Sequence, residues 1–252
     1  MSRLAFDPCA SGFILQSMTL RTAWRLPIAP RAPSRRLSAA SMSDVDPTGF
    51  FEPLYVAAAE GGDPVPWDRG GPHPLIDEWA RDVDGGSRSA IVVGAGLGVD
   101  AELLAERGFA VVAFDVSPTA VAITRERFPD SAVDYCVANL LEPPPEWTHG
   151  FDLVVESLTV QSMPVEFHAP ATENIARMVA PGGLLLVVAT ARDEADGPVD
   201  GPPWPLTRRE VESFAAGGLE TVRIEDVREP ATPPRWRAQF RRPAPEPRAP
   251  AR

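Results

Sequence analysis

Between Arg88 and Arg192 the chain repeats one alternation: a short apolar run, a turn, then apolar residues at helical spacing. Ala90-Ile-Val-Val93 is an apolar run that ends on Gly94, and Val99, Leu103 and Leu104 then mark a helix that stops before Gly108. Ala110-Val-Val-Ala-Phe114 is a second strand. Ser117-Pro118 opens a helix that runs to about Phe128, with serine as cap and proline in the first turn. Ala132–Val137 reads as a third strand, Phe151–Glu156 as a fourth, Pro164–Val179 as a helix, and Leu184–Val188 as a fifth strand after a Pro181-Gly182-Gly183 turn. Continuous apolar runs suit strands covered on both faces, and parallel neighbours need helical crossovers. The pattern therefore predicts a doubly wound α/β fold. Downstream, Thr207-Arg-Arg-Glu210 is a capping box. Leu219–Val227 and Arg235–Arg241 alternate apolar and polar residues and read as an antiparallel pair at the sheet edge.

The flanks differ from this unit. Residues 1–42 hold Arg21, Arg25, Arg31, Arg35 and Arg36 among prolines, with Asp7 as the one acid, and read as a disordered or non-native extension that ends where Met42-Ser-Asp changes the composition. An Arg- and Ser-rich, acid-poor leader is also what an organelle transit peptide looks like. Residues 243–252 are proline-rich and read as an unfolded tail. Residues 43–87 form an N-terminal segment that would cover a ligand site, and 88–242 the main domain. Charge follows the same division. Residues 1–43 carry +5, residues 229–252 carry +4, and the stretch between carries −20. So acidic a centre repels phosphate backbones, which argues against nucleic acid as a partner. No apolar run reaches the ~18 residues a bilayer span needs. Cys9 and Cys136 are the two cysteines, too few for a disulfide framework or a metal cluster, so a reducing, cytoplasmic setting is expected, with no metal.

Gly94-Ala-Gly-Leu-Gly98 joins the first strand to the first helix. Glycines there let a ligand approach the backbone, and the helix start offers free N–H groups. A dinucleotide fingerprint wants glycine or alanine one position further, where this chain has Val99, followed by Asp100. A carboxylate at that helix start repels a pyrophosphate but tolerates a sulfonium or an ammonium. Asp115 closes the second strand, 21 residues after Gly94, where a carboxylate can accept ribose hydroxyls. Ribose without phosphate points to S-adenosylmethionine (SAM).

Val93-Gly-Ala-Gly-Leu-Gly98-Val-Asp100, Phe114-Asp-Val-Ser-Pro118, Phe151-Asp-Leu-Val-Val-Glu156 and Ala180-Pro-Gly-Gly183 together resemble the motifs of class I SAM-dependent methyltransferases. Pro66-Trp67-Asp68-x-Gly70-x-Pro72-x-Pro74 is similar to a segment of the thiopurine methyltransferase-like subgroup. The resemblance implies a Rossmann-like seven-stranded sheet of order 3-2-1-4-5-7-6 with the last strand antiparallel. It also implies cofactor contacts. Trp67 would close over the cofactor, and Gly94, Ala95, Gly96 and Gly98 would line its methionine portion. Asp115 would hold the ribose, Val116 and Leu140 would flank the adenine, Asn139 would accept from the adenine amino group, and Glu156 would sit beside the methyl. Gln161 is a further candidate for that end.

Methyl transfer from a sulfonium needs positioning more than a protein nucleophile, and a base only where the acceptor must lose a proton. No catalytic residue is assigned. His73 and His168 are the histidines closest in sequence to the expected site, and structural or surface roles are the plainer expectation for both. Glu156-Ser-Leu-Thr lacks the Asn/Asp-Pro-Pro-aromatic pattern of enzymes that methylate nucleic-acid bases. A small-molecule acceptor follows, and the subgroup resemblance suggests a thiol or similar soft nucleophile. A non-catalytic SAM-binding module and an NAD-dependent oxidoreductase are the alternatives.

Overall fold

The computed structural model describes residues 48–197, 199–230 and 232–245. The readings for 1–42, for the Met42 boundary and for most of the proline-rich tail fall outside the described residues.

Seven strands form one sheet: β1 Ser89–Val93, β2 Ala110–Asp115, β3 Asp134–Val137, β4 Phe151–Ser157, β5 Val179–Thr190, β6 Glu220–Val227 and β7 Arg235–Arg241. Their order is β3-β2-β1-β4-β5-β7-β6, as expected. β1 pairs parallel with both β2 and β4, while β7 runs antiparallel between β5 and β6. Ala90, Ile91, Val92 and Val93 are at most 2% exposed, which is why β1 can be central. Register places Val93 beside Phe114 of β2 and Glu156 of β4. The ends of three strands are thus level at the point where strand order reverses, the usual position for a ligand crevice in such sheets.

Helices α3 Val99–Glu106 and α4 Pro118–Arg127 follow β1 and β2, α5 His168–Met178 follows β4, and the short α6 Arg208–Glu212 follows β5. Local chemistry fixes their starts. Ser117 Oγ accepts from the N–H of Ala120 at 2.9 Å, and Thr207 and Glu210 form the reciprocal box. Two apolar clusters cover the two sheet faces, one around Trp147, Ile175 and Phe240, the other around Leu104, Phe109 and Tyr135.

Several boundaries differ from the sequence reading. β3 starts at Asp134 rather than Ala132. The helix after β4 starts at His168, because Val165–Phe167 forms a 3-10 turn behind Pro164. Pro181-Gly182-Gly183 is no turn before β5. It is a bulge within it, where pairing jumps from Phe151–Val179 to Leu153–Leu184. Of the C-terminal antiparallel pair, β6 alone is an edge strand, with most of its residues exposed, and β3 forms the opposite edge. Two helices were not anticipated: α1 Phe51–Ala59 and α2 Pro74–Ala80. Among the described residues no helix is long and apolar enough to cross a membrane.

Candidate functional site

A cleft lies over the level ends of β1, β2 and β4, with about 1040 Å3 of empty space that is partly open solvent. Its floor begins with the glycine turn. Gly94, Gly96 and Gly98 have φ of 58°, 54° and 79°, in the left-handed region that glycine tolerates. A Cβ on Gly94 would stand 2.6 Å from the Thr159 side chain, and one on Gly96 would stand 3.1 Å from the Tyr55 hydroxyl, within reach of Trp67. Gly96 is therefore the bare spot that faces the roof. Gly98 does a different job: as N-cap of α3 it lets the chain pass Thr124 and Tyr135, which a Cβ would meet at 2.5–2.6 Å.

Asp115, 7% exposed, ends β2 beside this turn. Its Oδ2 accepts from the N–H of Gly96 at 2.9 Å, and its Oδ1 from the N–H of Ser117 at 3.0 Å. The carboxylate thus ties the two strand-end turns together and keeps lone pairs for a ligand. Burial raises its pKa against those N–H bonds. Asp100, in the first turn of α3, also lines the cleft. Its Oδ1 accepts from the N–H of His73 at 2.7 Å, and burial raises its pKa too.

The roof comes from the N-terminal segment. Trp67 Nε1 donates to the Tyr55 hydroxyl at 2.7 Å, with the rings edge to face at 5.7 Å. Glu52, one turn before Tyr55, accepts from Ser117 Oγ, Thr119 Oγ1 and the Thr119 N–H, which pins α1 to the start of α4. The far wall is the loop after β4: Ser157, Leu158, Thr159, Ser162 and Met163.

Of the ten residues nominated from sequence, Trp67, Gly94, Ala95, Gly96, Asp115, Val116 and Leu140 line the cleft. Gly98, Asn139 and Glu156 are not among the lining residues. Asn139 Oδ1 accepts from the N–H of Leu141 at 2.9 Å. Glu156 is fully buried, and its Oε1 accepts from the N–H groups of Thr159 and Val160. Gln161 is 4% exposed and bonds Thr190 and Trp204 through its side chain and carbonyl. Phe51, Tyr55, Arg69 and Met163 also line the cleft and were not singled out. A Phe51/Tyr55 pair at i, i+4 was the one available hint for α1.

No histidine lines the cleft. His73 caps α2, its Nδ1 accepting from the N–H of Leu75 at 3.2 Å. Burial, with help from the charges of Arg69 and Arg235, pushes its pKa down to about 3. His168 is 7% exposed rather than at the surface, with Nε2 3.0 Å from the Met163 carbonyl and Nδ1 3.6 Å from Glu210. His149 is exposed. Among the described residues no His/Cys/Asp/Glu group could hold a metal ion.

The lining carries three carboxylates, Asp68, Asp100 and Asp115, against one cation, Arg69. That donor set disfavours a pyrophosphate and suits a ligand with a sulfonium, an ammonium and a ribose. With bare backbone at Gly96 under an aromatic roof, the residues present fit SAM. A sheet of this order with this crevice is the Rossmann-like methyltransferase architecture. Residues 91–187 match a family model described as "Methyltransferase domain". The chain is a methyltransferase that uses S-adenosyl-L-methionine as its cofactor.

Among curated relatives, it is 28% identical over 182 residues to a probable thiol methyltransferase 2 of Arabidopsis thaliana, covering 71% of this chain and 77% of the relative. It is 29% identical over 156 residues to the 2-heptyl-1-hydroxyquinolin-4(1H)-one methyltransferase of Mycobacteroides abscessus, covering 60% and 66%. Among solved structures, the N-methyltransferase NodS of Bradyrhizobium japonicum in complex with S-adenosyl-L-homocysteine (SAH) superposes with a TM-score of 0.58. It shares 20% identity and covers 76% of this chain and 99% of NodS. A structure from work on the conversion of a disulfide bond into a thioacetal group in echinomycin biosynthesis gives 0.63 at 23% identity, covering 78% and 91%.

Proposed function

We propose that the cleft binds SAM along the glycine turn and delivers its methyl group to a small acceptor with a thiol or similarly acidic nucleophile. The observation that carries this reading is the Asp115 carboxylate, level with the glycine turn, in a cleft whose other two carboxylates outnumber its one arginine. Asp115 holds the ribose hydroxyls. Gly94, Ala95 and Gly96 run beside the methionine portion. Asp100 faces the ammonium, because its Oδ1 is taken by His73 N–H and its side chain still borders the cleft. Val116 and Leu140 flank the adenine, and Trp67 with Tyr55 covers the site as part of the N-terminal segment. SAM supplies an activated methyl on a sulfonium leaving group. The protein contributes alignment and exclusion of water.

The acceptor class follows from what the wall lacks. No histidine lines the cleft, so an acceptor that ionises by itself near neutral pH is favoured. Thiols do so, with pKa near ~8.5. The thiol methyltransferase relative supports a thiol and membership of the thiopurine methyltransferase-like subgroup. The hydroxyquinolone methyltransferase supports a small heterocyclic acceptor. The acidic central domain makes nucleic acid an unfavourable acceptor, and we place the enzyme in the cytoplasm. A screen of thiols, phenols and amines read as SAH release tests the reading. Turnover with thiols and not with amines is expected, and turnover confined to amines would refute the acceptor class.

A further inference from the structure

Glu156 is an expensive residue with no visible catalytic use. It sits in the central strand β4, between β1 and β5, and is fully buried. Side chains alternate faces along a strand. Glu156 therefore shares its face with Val154, in the cluster that holds Val160 and Met163, while Ser157 turns the other way and lines the cleft. One carboxyl oxygen, Oε2, is buried without a partner. The other, Oε1, accepts from the N–H of Thr159 at 2.7 Å and of Val160 at 3.0 Å. These two N–H groups open the 3-10 turn Val160–Ser162.

That clamp has a geometric consequence in the cleft. With its N–H held from behind, Thr159 directs Oγ1 to the Val93 carbonyl at 2.9 Å, and its side chain abuts Gly94, where a Cβ would meet it at 2.6 Å. Leu158 is forced to φ 64° and donates its N–H to the Val188 carbonyl at 2.8 Å. The loop that walls the cleft is thereby keyed to the glycine turn on one side and to β5 on the other.

We propose that Glu156 is a positioning residue: its Oε1 clamps the Thr159 and Val160 amides and so sets the wall from Ser157 to Met163 in register with the cofactor turn, without itself touching the cofactor. The consequence for binding rests on the reading of this cleft as the SAM site. An apolar side chain in that place would be cheaper to bury, and leaving two loop amides without an acceptor is what it would cost.

The test combines amide hydrogen exchange with SAH titration on the full chain. Glu156→Ala is expected to speed exchange at Thr159 and Val160 by about tenfold or more and to weaken SAH by a similar factor. Glu156→Gln keeps the accepting oxygen and is expected to restore both to within about threefold. Wild-type exchange and affinity in a folded Glu156→Ala protein would overturn the proposal. So would a Glu156→Gln protein that behaves like Glu156→Ala. Should Glu156→Ala not fold, Thr159→Val removes the Oγ1 links to the Val93 and Ser157 carbonyls. Weakened SAH binding in that protein supports the keyed wall, and unchanged binding overturns it. If the wild-type protein gave no SAH signal, the cofactor reading would fail, while the exchange comparison would still decide the clamp.

Discussion

Replacing Asp115 by alanine separates ribose binding from the structural work of the same carboxylate. Asp115 is 7% exposed and accepts from Gly96 and Ser117 at 2.9 and 3.0 Å. Removing it leaves the Ser117 N–H, in a residue with no exposed surface, without its acceptor. An orphaned buried donor costs about 1–3 kcal/mol, so the midpoint of urea unfolding should fall accordingly. Ligand binding loses something else, the charged hydrogen bonds to the ribose. At about 1.5–3 kcal/mol these predict a rise in the SAH dissociation constant of roughly 10–150-fold. Asp115→Asn should do nearly as badly. One amide oxygen can serve Ser117, but the amide nitrogen then faces the Gly96 N–H, donor against donor. The assay is calorimetric titration of SAH and of its 2′-deoxy analogue into wild type and variant, at a temperature where both are folded. In the wild type the deoxy analogue should bind more weakly, and in Asp115→Ala the two ligands should bind alike, because the group that told them apart is gone. Should the variant bind SAH within twofold of wild type, or keep the wild-type preference for the hydroxylated ligand, the ribose assignment is wrong.

Gly96→Ala should lower stability by about 1 kcal/mol, because φ is 54° there, and should weaken SAH by more than tenfold, because the new methyl enters the cleft 3.1 Å from the Tyr55 hydroxyl; thermal melts and titration read the two effects. Glu52→Ala removes the acceptor for Ser117 Oγ and for both Thr119 donors, so α1 should loosen, which limited proteolysis before Gly62 and a change in Trp67 fluorescence would report, with little loss in global unfolding free energy. Glu156 supplies a pH prediction. Burial raises its pKa from 4.5 to about 7, so the folded state keeps a proton that the unfolded state has lost. The contribution is fully present below pH 4.5, is lost as pH rises to about 7, and amounts to about 3 kcal/mol at most. His168 on α5 is the titratable neighbour of Glu156, paired with Glu210 on α6, which also meets Arg192 after β5, and all three are retained in Glu156→Gln. Urea unfolding at pH 5 and pH 8 should therefore show Glu156→Gln gaining on the wild type as pH rises, and parallel curves would contradict the buried, uncompensated carboxyl.

The fold was legible where burial leaves a one-dimensional trace. β1, β2, β4 and β5 are continuous apolar runs because both of their faces are covered, and Ser117-Pro118 and Thr207-x-x-Glu210 are caps whose chemistry is local. α1 and α2 lack such traces. α1 has one buried residue, Tyr55, and no side-chain cap. α2 is capped by His73, which is not among the usual cap residues, and its burial depends on α3 and on the sheet face of β1, β4 and β5. The bulge at Pro181–Gly183 reads as a turn in sequence because the same residues serve both purposes, and only the register with β4 tells them apart.

The candidate site divides in the same way. Gly94, Gly96 and Asp115 could be named because a strand–turn–helix fixes where its own backbone and its own strand end lie. Asn139 and Glu156 could not be placed by that logic: Asn139 lies two residues beyond β3, and Glu156 is the last but one of β4, where a side chain faces one side of the sheet or the other by parity. Parity was in hand: Val154 and Glu156 fall on one face, Leu153, Val155 and Ser157 on the other. What one dimension omits is which side chains at the strand ends reach the cleft, which is lined from both faces. That depends on the loop after β4 folding back onto Gly94, and Glu156 is the residue that holds it there. The carboxyl read in sequence as a neighbour of the methyl group lies, in three dimensions, behind the cleft wall, bonded to the amides of Thr159 and Val160.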